Sequence, residues 1–230
     1  MMSHFDYQPS YRRNLPHIQP PGATLFVTFR LAESLPHSVV AQWQNERQWL
    51  LHLRKTNPTY HERVKSDFER SWFRKFERIL DDNVVGPTWL RDDGIAAIVN
   101  ESLHYRDGKV YRLDAFSIMA NHVHAVVKPL SITEGEVTTY HSLSSIMQSL
   151  KGYTAFRANR ALCREGEFWA HESYDHWIRD FDEWQRIVAY VLNNPVKAGY
   201  VEIWQDWKWS YRRVQSKLLV CLRLGCAQRR

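Results

Sequence analysis

The sequence predicts an α+β fold, an antiparallel sheet carrying its helices on one face. Three observations lead there. Residues 23–31, 109–119 and 121–128 alternate apolar and polar side chains with period two, the mark of half-buried strands. Residues 93–103, 142–162 and 182–194 repeat apolar side chains at helical spacing. The segments interleave as strand, helical insertion, strand, strand, helix, strand, helix. Helices that return between strands of one antiparallel sheet make a ferredoxin-like sandwich, and its opposite sheet face is left open.

Each element has its own signal. Residues 1–22 form a polar, basic, proline-rich arm with Tyr11-Arg12-Arg13-Asn14 and Pro16, Pro20 and Pro21, extended rather than helical. In the strand Ala23 to Leu31, Leu25, Val27, Phe29 and Leu31 face one way; Thr24, Phe26, Thr28 and Arg30 face the other. A helical insertion follows, about 37–105. Pro36, with Ser34 as N-cap, opens a helix to about Lys55, and Asn57-Pro58 breaks it. A charged, aromatic helix runs from Tyr60 to about Leu80, Gly86-Pro87 turns the chain, and Asp92 or Asp93 caps a helix through Ile95, Ile98, Val99 and Leu103. Asp107-Gly108 is a turn signal. The strands 109–119 and 121–128 pair around Ala120-Asn121, and Pro129 ends the second. Ser142 to about Leu162 is an amphipathic helix, Phe168-Trp169-Ala170-His171 a short strand, and Asp180 or Asp182 caps a last helix. That helix reaches Asn194, where Pro195 bars smooth continuation and Gly199 can end the following turn. No repeat or linker divides 23–212, which reads as one domain; residues 213–230 are a basic tail and a candidate for disorder.

Composition narrows the function. At 230 residues with 44% hydrophobic and 24% charged side chains, the chain matches an ordinary globular protein. Ten tryptophans supply a large aromatic core, and in a smaller role flat surfaces for stacking bases. Lys plus Arg number 31 against 25 Asp plus Glu, which favours a polyanionic partner, most commonly nucleic acid. The three cysteines make neither an even framework nor a zinc-ribbon spacing, so a reducing compartment is expected. The N-terminus lacks an apolar signal-peptide core and no run reaches transmembrane length, so the expectation is a soluble cytoplasmic protein without a membrane partner.

The most informative stretch is Asn121-His122-Val123-His124. On a strand, His122 and His124 project side by side while Val123 enters the core, and two imidazoles so held can chelate a metal ion. With 11 histidines in the chain, about half such a pair is expected by chance, so its company decides. On the last helix Tyr190 and Asn194 are neighbours at the edge of the apolar stripe, with Glu183 nearly in line two turns earlier. A tyrosine there fits an amphipathic boundary. Beside a two-histidine strand it is also a candidate nucleophile, because a metal-polarised phosphate makes attack by a phenol feasible.

With Gln148-Ser149-Leu150-Lys151, Phe168-Trp169, Tyr190-Val191-Leu192-Asn193-Asn194-Pro195-Val196-Lys197-Ala198-Gly199, Trp207-Lys208-Trp209-Ser210-Tyr211, and the opening Pro16-His17 to Thr28-Phe29-Arg30, the chain resembles the single-tyrosine HUH endonuclease superfamily. Within it the resemblance is to the IS200/IS605-like transposases, most closely the REP-associated tyrosine transposases, and spans about Tyr11 to Arg212. Such proteins often have Met-Pro-Asn before the histidines; here Ala120 replaces the proline, which bears on the turn more than on the chemistry. The resemblance implies an HUH-type α+β fold and a transposase-like endonuclease and strand transferase on single-stranded or hairpin DNA of the repetitive extragenic palindrome kind. It also implies that His122, His124 and Asn194 hold one Mg²⁺ or Mn²⁺ and that Tyr190 forms a 5′-phosphotyrosine link. The nitrogen-rich donor set by itself tolerates Mn²⁺ or Zn²⁺. Arg12, Arg13, Lys128 and Lys151 are the candidate DNA contacts, Lys151 first, though a lone helical lysine also reads as plainly solvated. The chain is expected to act as a monomer or homodimer.

His104, His141, His171 and His176 read as surface or partly buried hydrogen-bonding groups, and Tyr174 as a rival nucleophile without a helical asparagine partner. Two other functions compete. A domesticated protein could bind hairpins without cutting, against which stands the intact set His122, His124, Tyr190 and Asn194. A metal-dependent hydrolase without a covalent step is disfavoured, since no Asp or Glu accompanies the histidines in a hydrolase motif.

Overall fold

Strand alternation and helical stripes meet in one five-stranded antiparallel sheet. The computed structural model describes residues 10–12, 16–18, 20–57, 59–60, 71, 75, 78–80 and 85–214. The sheet is built from β3 (Thr24–Leu31), β4 (Tyr111–Ile118), β5 (His122–Pro129), β8 (Trp169–Ile178) and β9 (Ser210–Arg212), in spatial order β8-β3-β5-β4-β9. The first four strands have the order of a ferredoxin-like core, and β9 extends it by one edge strand. The hairpin expected at Ala120-Asn121 is present: Met119 N donates to His122 O at 2.8 Å, and Ile118 lies opposite Val123. Among the described residues two short hairpins lie outside this sheet. In the first, β1 (Ser10–Arg12) pairs with β2 (Pro16–Ile18), so the N-terminal arm folds on itself. The second, β6 (Ser131–Glu134) with β7 (Val137–Tyr140), turns at Gly135 with a φ of 63° and had no clear signal beyond that glycine.

Four helices that lie wholly among the described residues flank the strands: α1 (His37–Thr56), α2 (Asp93–Arg106), α3 (Leu143–Ala161) and α4 (Phe181–Lys197). Their caps explain where three of them begin. Asp92 accepts the N–H groups of Gly94 and Ile95, Ser142 that of Ser145, and Asp180 that of Glu183. α1 departs from expectation. Pro36 takes the N-cap position without a side-chain cap, while Ser34 turns its Oγ to donate to Leu31 O at 2.8 Å. The helix expected over Tyr60 to Leu80 lies mostly outside the described residues.

Leu25, Val27, Phe29 and Leu31 of β3 pack with Val123, Ala125 and Val127 of β5 against Ile95, Val99 and Leu103 of α2 and Leu143, Ile146 and Leu150 of α3. Phe168 and Trp169 belong to the same core, where Trp169 donates from Nε1 to Thr154 Oγ1 at 2.8 Å. The second sheet face is not open. Phe26, Ala115, Val126 and Ile178 are covered there by Trp184, Val188, Val191 and Leu192 of α4. The α+β antiparallel class stands, but its helices occupy both faces rather than one. The apolar stripe of α4 must be buried, and α2 and α3 already fill the first face, so the second face takes it.

Three further differences concern lengths. β8 runs ten residues and includes Tyr174, where a four-residue strand was expected. Pro195 does not stop α4, which continues to Lys197. It removes only the bond its own N–H would have made, and past the helix end Ala198 N donates to Asn194 O and Tyr200 N to Pro195 O. Gly199 then turns the chain with φ 70°. Arg213 donates its backbone N–H to Asp114 O at 2.8 Å and so belongs with the sheet; residues 215–230, with Cys221 and Cys226, lie outside the described residues. Among the described residues no helix is long and apolar enough to cross a membrane.

Candidate functional site

The histidine pair sits where β5 and α4 meet, and it is buried: His122 is 1% exposed and His124 0%. Each imidazole is held from behind. Asn121 Nδ2 donates to Leu80 O at 3.2 Å, which leaves its Oδ1 to accept from His122 Nδ1 at 2.6 Å. The proton of His122 is thereby assigned to Nδ1 and the lone pair to Nε2. Thr28 Oγ1 lies 2.8 Å from His124 Nδ1 on the facing strand β3 and orients that ring. The two Nε2 atoms then face each other at 3.0 Å. At that distance the two nitrogens share either a proton, donated by His124 to the His122 lone pair, or a cation. Burial first, then His124 and the charge of Lys197, keep the His122 imidazolium well below the ordinary histidine range, so the ring is neutral near pH 7. A neutral, pre-oriented imidazole is the form that binds a metal.

α4 completes the site. The half-buried Tyr190 ring lies 5.6 Å from the His124 ring at 61° and 6.1 Å from Phe26 at 85°. One turn on, Asn194 is 1% exposed, and neither its Oδ1 nor its Nδ2 has a hydrogen-bond partner among the described residues. A buried amide with both ends unsatisfied needs an explanation, since each such group costs about 1–3 kcal/mol. A cation at the histidine pair would be satisfied by Asn194 Oδ1, so the donor set of two imidazole nitrogens and one amide oxygen fits a divalent ion. No group of three or more His, Cys, Asp or Glu that could hold a metal occurs among the described residues, which leaves this mixed set as the candidate.

The expected residues separate accordingly. His122 and His124 of β5 meet Tyr190 of α4, and Asn194 lies buried one turn further along that helix. Lys128 lies on the same sheet face as His122, but six residues along β5, roughly 20 Å away at strand rise. Lys151 directs its ammonium to the edge strand, donating to Ala170 O at 2.6 Å and His171 O at 3.1 Å, which is a structural use of the charge. Arg12 ends β1, and Arg13 lies outside the described residues. Glu183 leaves the line of the nucleophile: its carboxylate takes His176 Nε2 at 2.9 Å and Arg179 N at 2.7 Å. Tyr174 lies opposite Thr28 on β8, hence on the histidine face, with its ring 6.2 Å from Phe26. Sequence reasoning missed Asn121 and Thr28 as orienting groups. Asn121 was legible only as a turn residue, and Thr28 sits 96 positions from His124.

No protein-family model matches the chain. A Haemophilus influenzae protein named "Putative REP-associated tyrosine transposase" is 29% identical over 108 residues, 45% of this chain and 61% of its own. The chain thus has a homologue that carries that name. A second, uncharacterized protein of that organism is 28% identical over 111 residues, 41% of this chain and 60% of its own. The chain thus spans about three fifths of the length of the curated relatives it matches. A solved structure of a REP-associated tyrosine transposase bound to a REP hairpin aligns with 87% of this chain and 80% of its own, at 17% identity and a TM-score of 0.45. The resemblance to this group of proteins, expected from the motifs, is borne out by the sequence match.

Proposed function

We propose that the protein is a divalent-metal-dependent endonuclease and strand transferase for single-stranded, hairpin-forming DNA, with Tyr190 as nucleophile. The observation that carries this reading is the pair of facing Nε2 atoms with the Tyr190 ring 5.6 Å from that of His124 and the unsatisfied Asn194 amide one turn on. Transposase chemistry on DNA also agrees with the named relative and with the net charge of +6.

His122, His124 and Asn194 would hold the ion, which when bound supplies Lewis-acid polarisation of a scissile phosphate. Asn121 and Thr28 keep both imidazoles aimed. Tyr190 attacks phosphorus; the bond from its phenolic oxygen to phosphorus forms as the bond from phosphorus to the 3′-oxygen breaks. The phenolic proton ends on the 3′-hydroxyl. The 5′-phosphotyrosine link stores the phosphodiester energy, so a later 3′-hydroxyl can reverse the step without ATP. Burial beneath α4 excludes water from the histidines, which strengthens each electrostatic contact there.

The test is a denaturing gel of the protein incubated with end-labelled single-stranded hairpin oligonucleotides and Mn²⁺. A labelled band at the mass of protein plus DNA, sensitive to protease, is expected. No adduct with any single strand and any divalent ion would leave a hairpin-binding protein without cleavage in its place.

A further inference from the structure

Arg30 takes no part in the chemistry above, yet it stands beside it. On β3 it lies opposite His122 of β5, in the same register that sets Thr28 opposite His124. Alternation therefore places Arg30, Thr28, His122 and His124 on the one sheet face that α4 covers. Burial pushes the Arg30 guanidinium down to about 10, with the charge of Glu172 from the adjoining β8 opposing, so it remains a cation at neutral pH. Among the described residues its hydrogen bonds leave from Nη1 alone, at 3.3 Å to Leu31 O and 3.3 Å to Ser34 Oγ. The edge formed by Nε and Nη2 makes none. That edge is the fork which matches two oxygens of a phosphate.

We propose that Arg30 is a further catalytic residue, whose Nε and Nη2 contact the non-bridging oxygens of the scissile phosphate, while Nη1, bonded to Leu31 O and Ser34 Oγ, anchors the guanidinium. The assignment rests on the phosphotyrosine reading and deepens it. Those two oxygens gain negative charge as phosphorus becomes pentavalent, and a desolvated cation fixed beside them stabilises that charge more than it stabilises the substrate. Arg30 neither gains nor loses a proton: the bonds made and broken remain those to Tyr190 and to the 3′-oxygen.

The experiment measures single-turnover adduct formation in Mn²⁺ on the hairpin oligonucleotide that wild type attacks. It is run with the native linkage and with a neutral methylphosphonate at the mapped scissile position. Arg30→Ala is expected to slow the native reaction about 100- to 1000-fold, as for loss of a transition-state donor. Arg30→Lys should recover little of this, because an ammonium lacks the planar fork. Both variants should bind the hairpin within about tenfold of wild type, since their loss falls on the transition state. On methylphosphonate the gap between wild type and Arg30→Ala should shrink to about tenfold or less, because a charged non-bridging oxygen, one arm of the fork's contact, is replaced by a neutral methyl group. An Arg30→Ala rate close to wild type on the native linkage overturns the proposal, as does an equal defect on both linkages. Loss of hairpin binding by both Arg30 variants also overturns it, by assigning Arg30 to the fold. A wild type that forms no adduct defeats the phosphotyrosine reading and this one with it; a wild type that forms it beside an unaffected Arg30→Ala defeats this one alone.

Discussion

Burial changes what the histidines are worth to the fold. Strand alternation alone places them on an open face, where replacement would cost about 1 kcal/mol or less. With both rings inaccessible, His122→Ala leaves Asn121 Oδ1 unsatisfied and His124→Ala strips Thr28 of its partner, so each should lower stability by about 1–3 kcal/mol in urea unfolding. Each should also abolish the covalent adduct, and an alanine variant that cuts at the wild-type rate would remove the metal-site assignment. Asn121→Ala acts through His122 rather than on the ion, and is expected to weaken Mn²⁺ binding about 10- to 100-fold in calorimetric titration. Tyr190→Phe keeps the ring against Phe26 and His124 and removes only the hydroxyl. Stability and hairpin binding should survive while the adduct and the nicked product disappear. Tyr174→Phe should keep both products, since that tyrosine stands on β8 rather than one turn before Asn194 on α4. An adduct formed by Tyr190→Phe would move the nucleophile elsewhere.

At the scale of elements, α4 does most to build the site, because one helix presents Tyr190 and Asn194 to β5. Its start depends on Asp180, whose side chain accepts from Glu183 N at 2.7 Å. Asp180→Ala should cost about 1 kcal/mol, read by the unfolding midpoint. The edge strand β8 carries a different device. Lys151 of α3 satisfies carbonyls at its start, which would otherwise face solvent or a second strand. Lys151→Ala should therefore destabilise the protein by about 1 kcal/mol yet leave the salt dependence of DNA binding unchanged. A slope reduced by about 0.7, the value for one lost single-strand phosphate contact, would restore Lys151 to the DNA interface.

For the whole molecule, the ferredoxin-like core supplies a rigid floor of four strands and α4 a roof, with the histidine pair between them. The site then draws on β3, β5 and α4 at once, residues separated by up to 166 positions from Thr28 to Asn194. Its chemistry should need the ion and its binding should need charge. Chelation with EDTA is expected to stop adduct formation while hairpin binding persists. Raising salt should weaken binding as counterions are no longer released from phosphate. Equal affinity for a hairpin and for random duplex at moderate salt would reduce the protein to a generic basic one.

The sequence by itself determined the periodic features. Period two put His122 and His124 on one face with Val123 opposite, the Ala120-Asn121 step closed the hairpin, and helical spacing set Tyr190 one turn before Asn194. These are local rules, fixed by geometry within a single element. Tertiary structure alone decided which element covers which face. Whether α4 packs over the histidines or beside α2 and α3 depends on the competition of stripes for sheet area, to which residues far apart contribute. From that one outcome follow the burial of the pair, the unsatisfied Asn194 amide and the meeting of Tyr190 with His124. The partners that aim the imidazoles, Thr28 across the sheet and Asn121 anchored on Leu80, were invisible for the same reason: a hydrogen bond between distant segments leaves no period in the chain.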